Sequence, residues 1–106
     1  MRPKRRMEAS ELEAVLGTVH DLLVAEGMNE AAQLVRAYPA RSEQTGYDNW
    51  NGGTNIWEVY FDVPPVDYAR LGSRRAQIEE QITARLKMVL EPETQDWYSA
   101  KIVPCP

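Results

Sequence analysis

The sequence predicts a small α/β or α+β domain in which helices pack on one face of a mixed sheet of about three strands. Three observations predict this fold. A long apolar stripe with helical spacing lies near the start of the 106-residue chain, a strongly alternating strand occupies its middle, and a long amphipathic helix separates that strand from a final alternating segment. The predicted element order is ααββαβ, with one layer of helices on the sheet.

The first predicted helix begins at a capping box formed by Ser10, Glu11, Leu12 and Glu13. Gly27 supplies the left-handed residue that commonly ends a helix. Between them runs one apolar stripe: Leu12, Val15, Leu16, Val19, Leu22 and Leu23.

A second, shorter helix is predicted after Asn29, which can cap its first turn, and Pro39 prevents much continuation. Its apolar positions are weaker: Ala31, Ala32, Leu34, Val35 and Tyr38. Residues 40 to 46 have modest strand propensity and are predicted as a first strand.

The clearest strand signal spans residues 56 to 63 and is followed by Pro64 and Pro65, which stop it. Its residues alternate between one apolar face (Trp57, Val59, Phe61, Val63) and one mixed face (Ile56, Glu58, Tyr60, Asp62). Such alternation indicates a strand with one buried face, and Trp57 is predicted to face the helices.

Beyond the prolines, a short helical turn that Gly72 interrupts is predicted, then a long helix from Ser73 to about Leu90. The apolar stripe of this helix is Ile78, Ile82, Leu86, Val89 and Leu90. A last strand is predicted over residues 98 to 103. Since strand, helix and strand form a crossover, the last strand should run parallel to the central one, and the first strand should pair with it antiparallel.

Composition supports a single folded domain at residues 10 to 106, preceded by a basic, flexible tail at residues 1 to 9. Hydrophobic residues make up 43% and charged residues 26% of the chain. No apolar run is long enough to cross a bilayer, and the single cysteine, Cys105, excludes an internal disulfide. We therefore expect a cytoplasmic protein with no membrane association.

The net charge of −4 is unevenly distributed, because the tail contributes four positive charges and the remaining chain carries −8. Nucleic-acid binders usually present a basic face to phosphates. The acidic body therefore argues against DNA or RNA as the main ligand and favours a protein partner.

The segment from Gly46 to Asn55 is the most unusual part of the sequence, since it combines glycines, amides, an aspartate and two aromatic residues. One interpretation is a structured hairpin turn at Asn51 and Gly52, with Trp50 packed beneath it. The others are a partner-contacting surface and a small-molecule pocket. The candidate partner- or ligand-binding residues are Tyr47, Asp48, Asn49, Trp50, Asn51 and Tyr60.

No cofactor or metal is expected at this segment. A calcium loop counted from Asp48 would place Trp50 third and Val59 twelfth, where oxygen ligands are required. A phosphate-binding loop needs a lysine and a following helix, whereas these glycines precede a strand.

The run TGYDNWNGGT at positions 45 to 54, followed by an aromatic strand ending in Val63 and Pro64, resembles an uncharacterised small bacterial module. The resemblance covers roughly residues 40 to 103. It implies an association with phage-defence and related conflict systems and brings no catalytic residues with it. The N-terminal helices lie outside the resemblance.

The sequence does not favour any enzyme class. His20 is the only histidine, and no nucleophile elbow accompanies it. Glu58 and Asp62 share a strand face but lie about 13 Å apart along the strand, too far for a tight carboxylate pair. The leading hypothesis is a non-catalytic accessory or interaction protein that docks on a partner protein through the aromatic, Asn/Gly-rich loop at residues 46 to 55. Its candidate anchors are Tyr47, Trp50, Trp57, Tyr60 and Trp97.

Two alternatives remain open. The first is a sensor of a small, nucleotide-like molecule that uses the same loop. The second is a small enzyme that uses Asp48 together with Glu58 or Asp62.

Overall fold

A computed structural model describes residues 7–48, 54–90 and 96–105 of the chain. These residues form a small α+β domain of four helices and a three-stranded mixed sheet. The elements in chain order are α1 (Ala9–Ala25), α2 (Asn29–Ala37), β1 (Ala40–Asp48), β2 (Thr54–Val63), α3 (Pro65–Leu71), α4 (Arg74–Leu90) and β3 (Trp97–Pro104). The predicted fold class is confirmed, and the basic residues 1 to 6 of the predicted tail lie outside the described residues.

Helix α1 follows the predicted apolar stripe, and its inward residues Leu12, Leu16, Val19 and Leu23 are buried. Gly27 ends it with φ 75°, as predicted. The predicted capping box is wrong, because the N-cap residue is Glu8 and no side chain caps the first turn. Ser10 lies inside the helix and is exposed, so its hydroxyl is not at the position where a cap can form.

Helix α2 begins at Asn29 itself, with Met28 at the N-cap position, so the predicted capping role of Asn29 is also wrong. The helix buries Ala31, Ala32, Leu34 and Val35. It ends at Ala37. The C-cap residue Tyr38 has an extended backbone, which the steric demands of the following Pro39 favour.

The sheet has the strand order β1-β2-β3, with β1 antiparallel and β3 parallel to β2, as predicted. Ala40 pairs with Phe61 and Gln44 with Trp57, but Gly46 pairs with Ile56. Thr45 is therefore an extra residue, and it forms a β-bulge in β1.

The alternation predicted for β2 is confirmed, because Val59, Phe61 and Val63 are fully buried under the helices. Trp57 lies on the same face and is also buried. The matching residues of β3 are Ala100 and Ile102, which join the same core as the buried stripes of α1, α2 and α4.

Two helices rather than one lie between β2 and β3, and the element order is ααββααβ. The predicted helical turn is the complete helix α3, and Gly72 separates it from α4 with φ 53°. Pro65 begins α3 without cost, because the first helical position does not use its amide. Helix α4 buries Ile78, Ile82, Leu86 and Leu90 at the predicted spacing.

Among the described helices, none is both long and apolar enough to cross a membrane.

Substitutions in the shared core test this arrangement. We expect Leu16→Ala and Phe61→Ala each to lower the free energy of unfolding by about 2 to 5 kcal/mol, because each removes a buried side chain and leaves a cavity. Urea denaturation measures the loss. Val24→Ala is the matched control, since Val24 lies on α1 but is exposed, and a similar loss in all three variants would contradict the assigned core.

Candidate functional site

The described ends of the unusual segment, residues 46 to 48 and 54 to 55, lie at one end of the β1-β2 hairpin. Tyr47 pairs with Asn55, and Asp48, the last residue of β1, pairs with Thr54, the first residue of β2. Three of the predicted site residues, Asn49, Trp50 and Asn51, lie outside the described residues.

A buried carboxylate fixes the base of this hairpin. Asp96 is 4% exposed and lies one residue before β3. Its Oδ1 accepts hydrogen bonds from the Asn55 backbone N–H at 3.2 Å and from Asn55 Nδ2 at 3.4 Å, and its Oδ2 accepts from Trp57 Nε1 at 3.0 Å. These donors offset the cost of removing the carboxylate from water.

The same network reaches β1 through Gln44, whose Nε2 donates to Asn55 Oδ1 at 2.7 Å and to the carbonyl oxygen of Gly46 at 3.3 Å. Tyr98 stacks on Trp57 with ring centroids 6.3 Å apart and an angle of 10° between the rings. All three strands are therefore tied together at the hairpin base. Sequence reasoning missed Asp96, and its one signal was an acidic residue directly before an aromatic strand.

Gly46 has a packing role in this hairpin. A Cβ atom at this position would lie 3.4 Å from Ile56 Cδ1, so the side chain of Ile56 occupies the space above the glycine. The space beside Gly46 is therefore filled by Ile56 of the same chain.

The bulge separates two of the predicted site residues. Tyr47 pairs with Asn55, whereas Tyr60 pairs with Arg41. Paired residues point to the same face of a sheet, and successive residues of a strand point to opposite faces. Tyr47 therefore lies on the face that the helices cover farther along the sheet, and Tyr60 lies on the opposite face.

That opposite face, here called the open face, is formed by residues that alternate with the buried ones. It consists of Arg41, Glu43, Ile56, Glu58, Tyr60, Asp62, Trp97, Ser99, Lys101 and Val103. Among these residues, Trp97 is 46% exposed.

Arg41 organises the centre of the open face. Its guanidinium pairs with Glu43 and donates to Asp62 from Nε at 3.1 Å and from Nη2 at 3.4 Å. The same group lies 4.6 Å from the centre of the Tyr60 ring, a cation–π geometry. Three contacts thus hold one arginine over one aromatic ring.

Tyr60 is held at its other end by Glu58, whose Oε2 accepts the hydrogen bond of the tyrosine hydroxyl. This hydrogen bond is the largest cause that raises the pKa of Tyr60 above 10.0, followed by desolvation and the charge of Glu58. Glu58 and Asp62 therefore engage different partners, and the described contacts do not join them into a catalytic pair.

His20 lies on α1, and its Nδ1 is 3.1 Å from Asp21 Oδ1. It borders a groove of about 690 Å³ between α1, α2 and the start of β1, which Arg36 and Tyr38 also line. No group of three or more metal-binding side chains occurs among the described residues. Among the described residues, the open face therefore has the connected set of aromatic and charged contacts that Arg41, Glu58 and Tyr60 form.

The Asp96 network can be tested by removing its acceptor. We expect Asp96→Ala to lower the free energy of unfolding by about 1 to 3 kcal/mol or more, because the Asn55 N–H and the Trp57 indole N–H lose their acceptor in a buried place. Urea denaturation measures this loss. Asp21→Ala is the control, since Asp21 is exposed on α1, and equal stability of the two variants would contradict the role of Asp96.

Alkaline pH probes the ring that stacks on Trp57. Burial is the main cause that raises the pKa of Tyr98 above 10.0, and the charges of Asp96 and Glu11 add to it. The folded state therefore holds this proton more tightly than the unfolded chain does. Its contribution to stability is complete below about pH 10 and is lost as the pH rises through the raised pKa.

We expect Tyr98→Phe to flatten the fall in unfolding free energy between about pH 9 and 11, as measured by urea denaturation at several pH values. Tyr47→Phe is the matched control, because Tyr47 is exposed. An unchanged pH dependence in Tyr98→Phe would contradict the assignment.

Comparison with known proteins adds no relative to this description. No family model matches the chain, and no curated protein or solved structure matches it.

Proposed function

We propose that this chain is a non-catalytic accessory or interaction protein that docks on a partner protein through the open face of its sheet. The observation that carries the proposal is the fixed arginine and tyrosine pair at the centre of that face. Arg41 is held by Glu43 and Asp62, and Tyr60 is held between Arg41 and Glu58. A surface whose side chains are already ordered loses less conformational entropy when it binds.

The residue types of the open face support docking. Tyrosine, tryptophan and arginine are the residues that most often dominate protein interfaces. Trp97 is substantially exposed at one end of the face, and Tyr60, Ile56 and Val103 are half-buried. The face thus combines apolar area with aromatic residues and an arginine, which are residue types enriched in interfaces.

The charge of the domain favours a basic partner. The chain carries a net charge of −4, and the open face itself has three carboxylates, Glu43, Glu58 and Asp62, against Arg41 and Lys101. Opposite charge on a partner would steer its approach and fix its orientation.

The setting that we propose, a bacterial phage-defence or related conflict system, rests on the resemblance of the run at positions 45 to 54 alone. The docking proposal is independent of it, because the open face is formed mainly by residues outside that run.

Substitution of Tyr60 tests the proposed surface. A protein that co-purifies with the tagged chain is isolated, and its affinity is measured by biolayer interferometry. We expect Tyr60→Ala to weaken binding by about thirtyfold, which is about 2 kcal/mol, and to change the unfolding free energy by no more than about 1 kcal/mol.

Val24→Ala is the control, because this exposed residue lies in the helical layer, and its binding should equal that of the wild type. If Tyr47→Ala weakens binding and Tyr60→Ala does not, the interface lies at the hairpin end and the proposed face is wrong.

A further inference from the structure

Helix α4 and strand β3 meet along a seam in which side chains of the helix accept hydrogen bonds from the strand. Glu79 Oε2 accepts from the Ile102 N–H at 2.7 Å, and Thr83 Oγ1 accepts from the Ala100 N–H at 2.8 Å. Backbone N–H groups of alternate strand residues point to the same side. Tyr98 is the next residue in this series, so its N–H also points away from β2.

The opposite set of amides agrees with this assignment. The Cys105 N–H donates to the Val63 carbonyl oxygen of β2 at 2.8 Å. The odd-numbered residues of this segment therefore donate toward β2, and the even-numbered ones donate outward.

The series of acceptors on α4 ends at Lys87, which lies one helical turn after Thr83. A lysine ammonium has three donors and no acceptor, so it cannot bond the Tyr98 N–H. No other described residue accepts a hydrogen bond from this amide. Two donors, one of them positively charged, are thus presented at the same end of the seam.

A cleft of about 260 Å³ opens beside these donors, here called the seam cleft, and is lined by Ile56, Trp57, Lys87, Trp97, Tyr98 and Ser99. Its walls are mainly apolar, and the stacked rings of Trp57 and Tyr98 give it a rigid side. It is smaller than the clefts of about 300 to 1,000 Å³ that hold drug-sized ligands. Its size suits one apolar side chain.

We propose that the seam cleft binds the C-terminal residue of a partner protein. The apolar side chain of that residue packs on the helix side of the sheet, against Trp57 and Tyr98. Its terminal carboxylate accepts hydrogen bonds from the Lys87 ammonium and the Tyr98 N–H. The inference rests on the proposed function, since it names the part of the partner that is recognised.

The chemistry of the cleft favours a chain terminus over an internal residue. A C-terminal residue brings a carboxylate and an apolar side chain on one Cα, whereas an internal apolar residue brings no charge. Among the described lining residues, only Lys87 carries a formal charge. A positive group at an apolar cleft in an acidic protein complements an anion there, and capture of a terminal carboxylate is a known mode of peptide recognition.

The nearby carboxylate of Asp96 is already engaged by other donors. It is buried, and its oxygens accept hydrogen bonds from Asn55 and from the Trp57 indole at the hairpin base. The indole of Trp57 thus contacts both residues, since its Nε1 donates to Asp96 and its ring stacks on Tyr98.

The test uses the whole ¹⁵N-labelled protein and hexapeptides that are identical except for their last residue, observed by NMR titration. We expect peptides ending in Phe or Leu with a free carboxyl group to shift the Tyr98 amide and the Trp57 and Trp97 indole signals. Blocking the carboxyl group as an amide, or the substitution Lys87→Met, should each weaken binding by about tenfold or more. Lys87→Met keeps most of the aliphatic length and removes the ammonium.

Lys101→Met is the matched control, because Lys101 is an exposed lysine of β3 that lies on the open face. Peptide binding by this variant should be unchanged. The proposal is overturned if no apolar-ended peptide shifts these signals at about 1 mM. It is also overturned if the amide-blocked peptide binds as tightly as the free acid, because the site would then recognise an apolar side chain alone.

The two proposals can fail separately. If peptides do not bind but Tyr60→Ala still weakens binding of the partner protein, only the seam cleft assignment is wrong. If peptides bind as expected while Tyr60→Ala leaves partner binding unchanged, the open face is wrong and the seam cleft remains.

Discussion

The hydrogen bonds of Asp96 are the constraint on which the arrangement at the hairpin end depends. The carboxylate lies at the start of β3, yet its donors Asn55 and Trp57 are in β2, 41 and 39 positions earlier in the chain. Through Asn55 the network continues to Gln44 of β1. A buried carboxylate is costly unless several donors satisfy it, so the three strands must meet in one register for the network to form. That register also sets where Trp57, Tyr98 and the seam cleft lie.

The regular elements follow from periodicity. The stripes of α1 and α4 and the alternation of β2 each bury the residues that their spacing indicates. The wrong predictions are those of helix capping, because a capping residue acts only where the helix begins. Ser10 has the sequence context of a cap, but α1 begins one residue earlier, so Ser10 has helical surroundings. Pro64 and Pro65 end β2 as predicted, and Pro65 begins a complete helix where the sequence predicts only a short helical turn.

The candidate site was only partly predictable. Alternation placed Tyr60, Glu58 and Asp62 on one face, and the structure confirms that placement. Arg41 could not be found in the same way, because the segment around it has weak strand propensity and its partners are 19 and 21 residues away. Asp96 could not be predicted either, because its donors Asn55 and Trp57 are also distant in the sequence. Contacts between distant strands depend on register, which the periodicity of each separate segment does not specify.

That bulge has a consequence for how the length of this chain can vary. Thr45 has no partner in the register of β1 with β2, while Gln44 and Gly46 are paired with consecutive residues of β2. Loss of Thr45 would leave a continuous ladder with every pair intact. Loss of any other β1 residue before the bulge would move the residues between the deletion and the bulge to the opposite face. A one-residue deletion in this strand is therefore absorbed at Thr45, and relatives of this chain that lack one residue in β1 should lack it there.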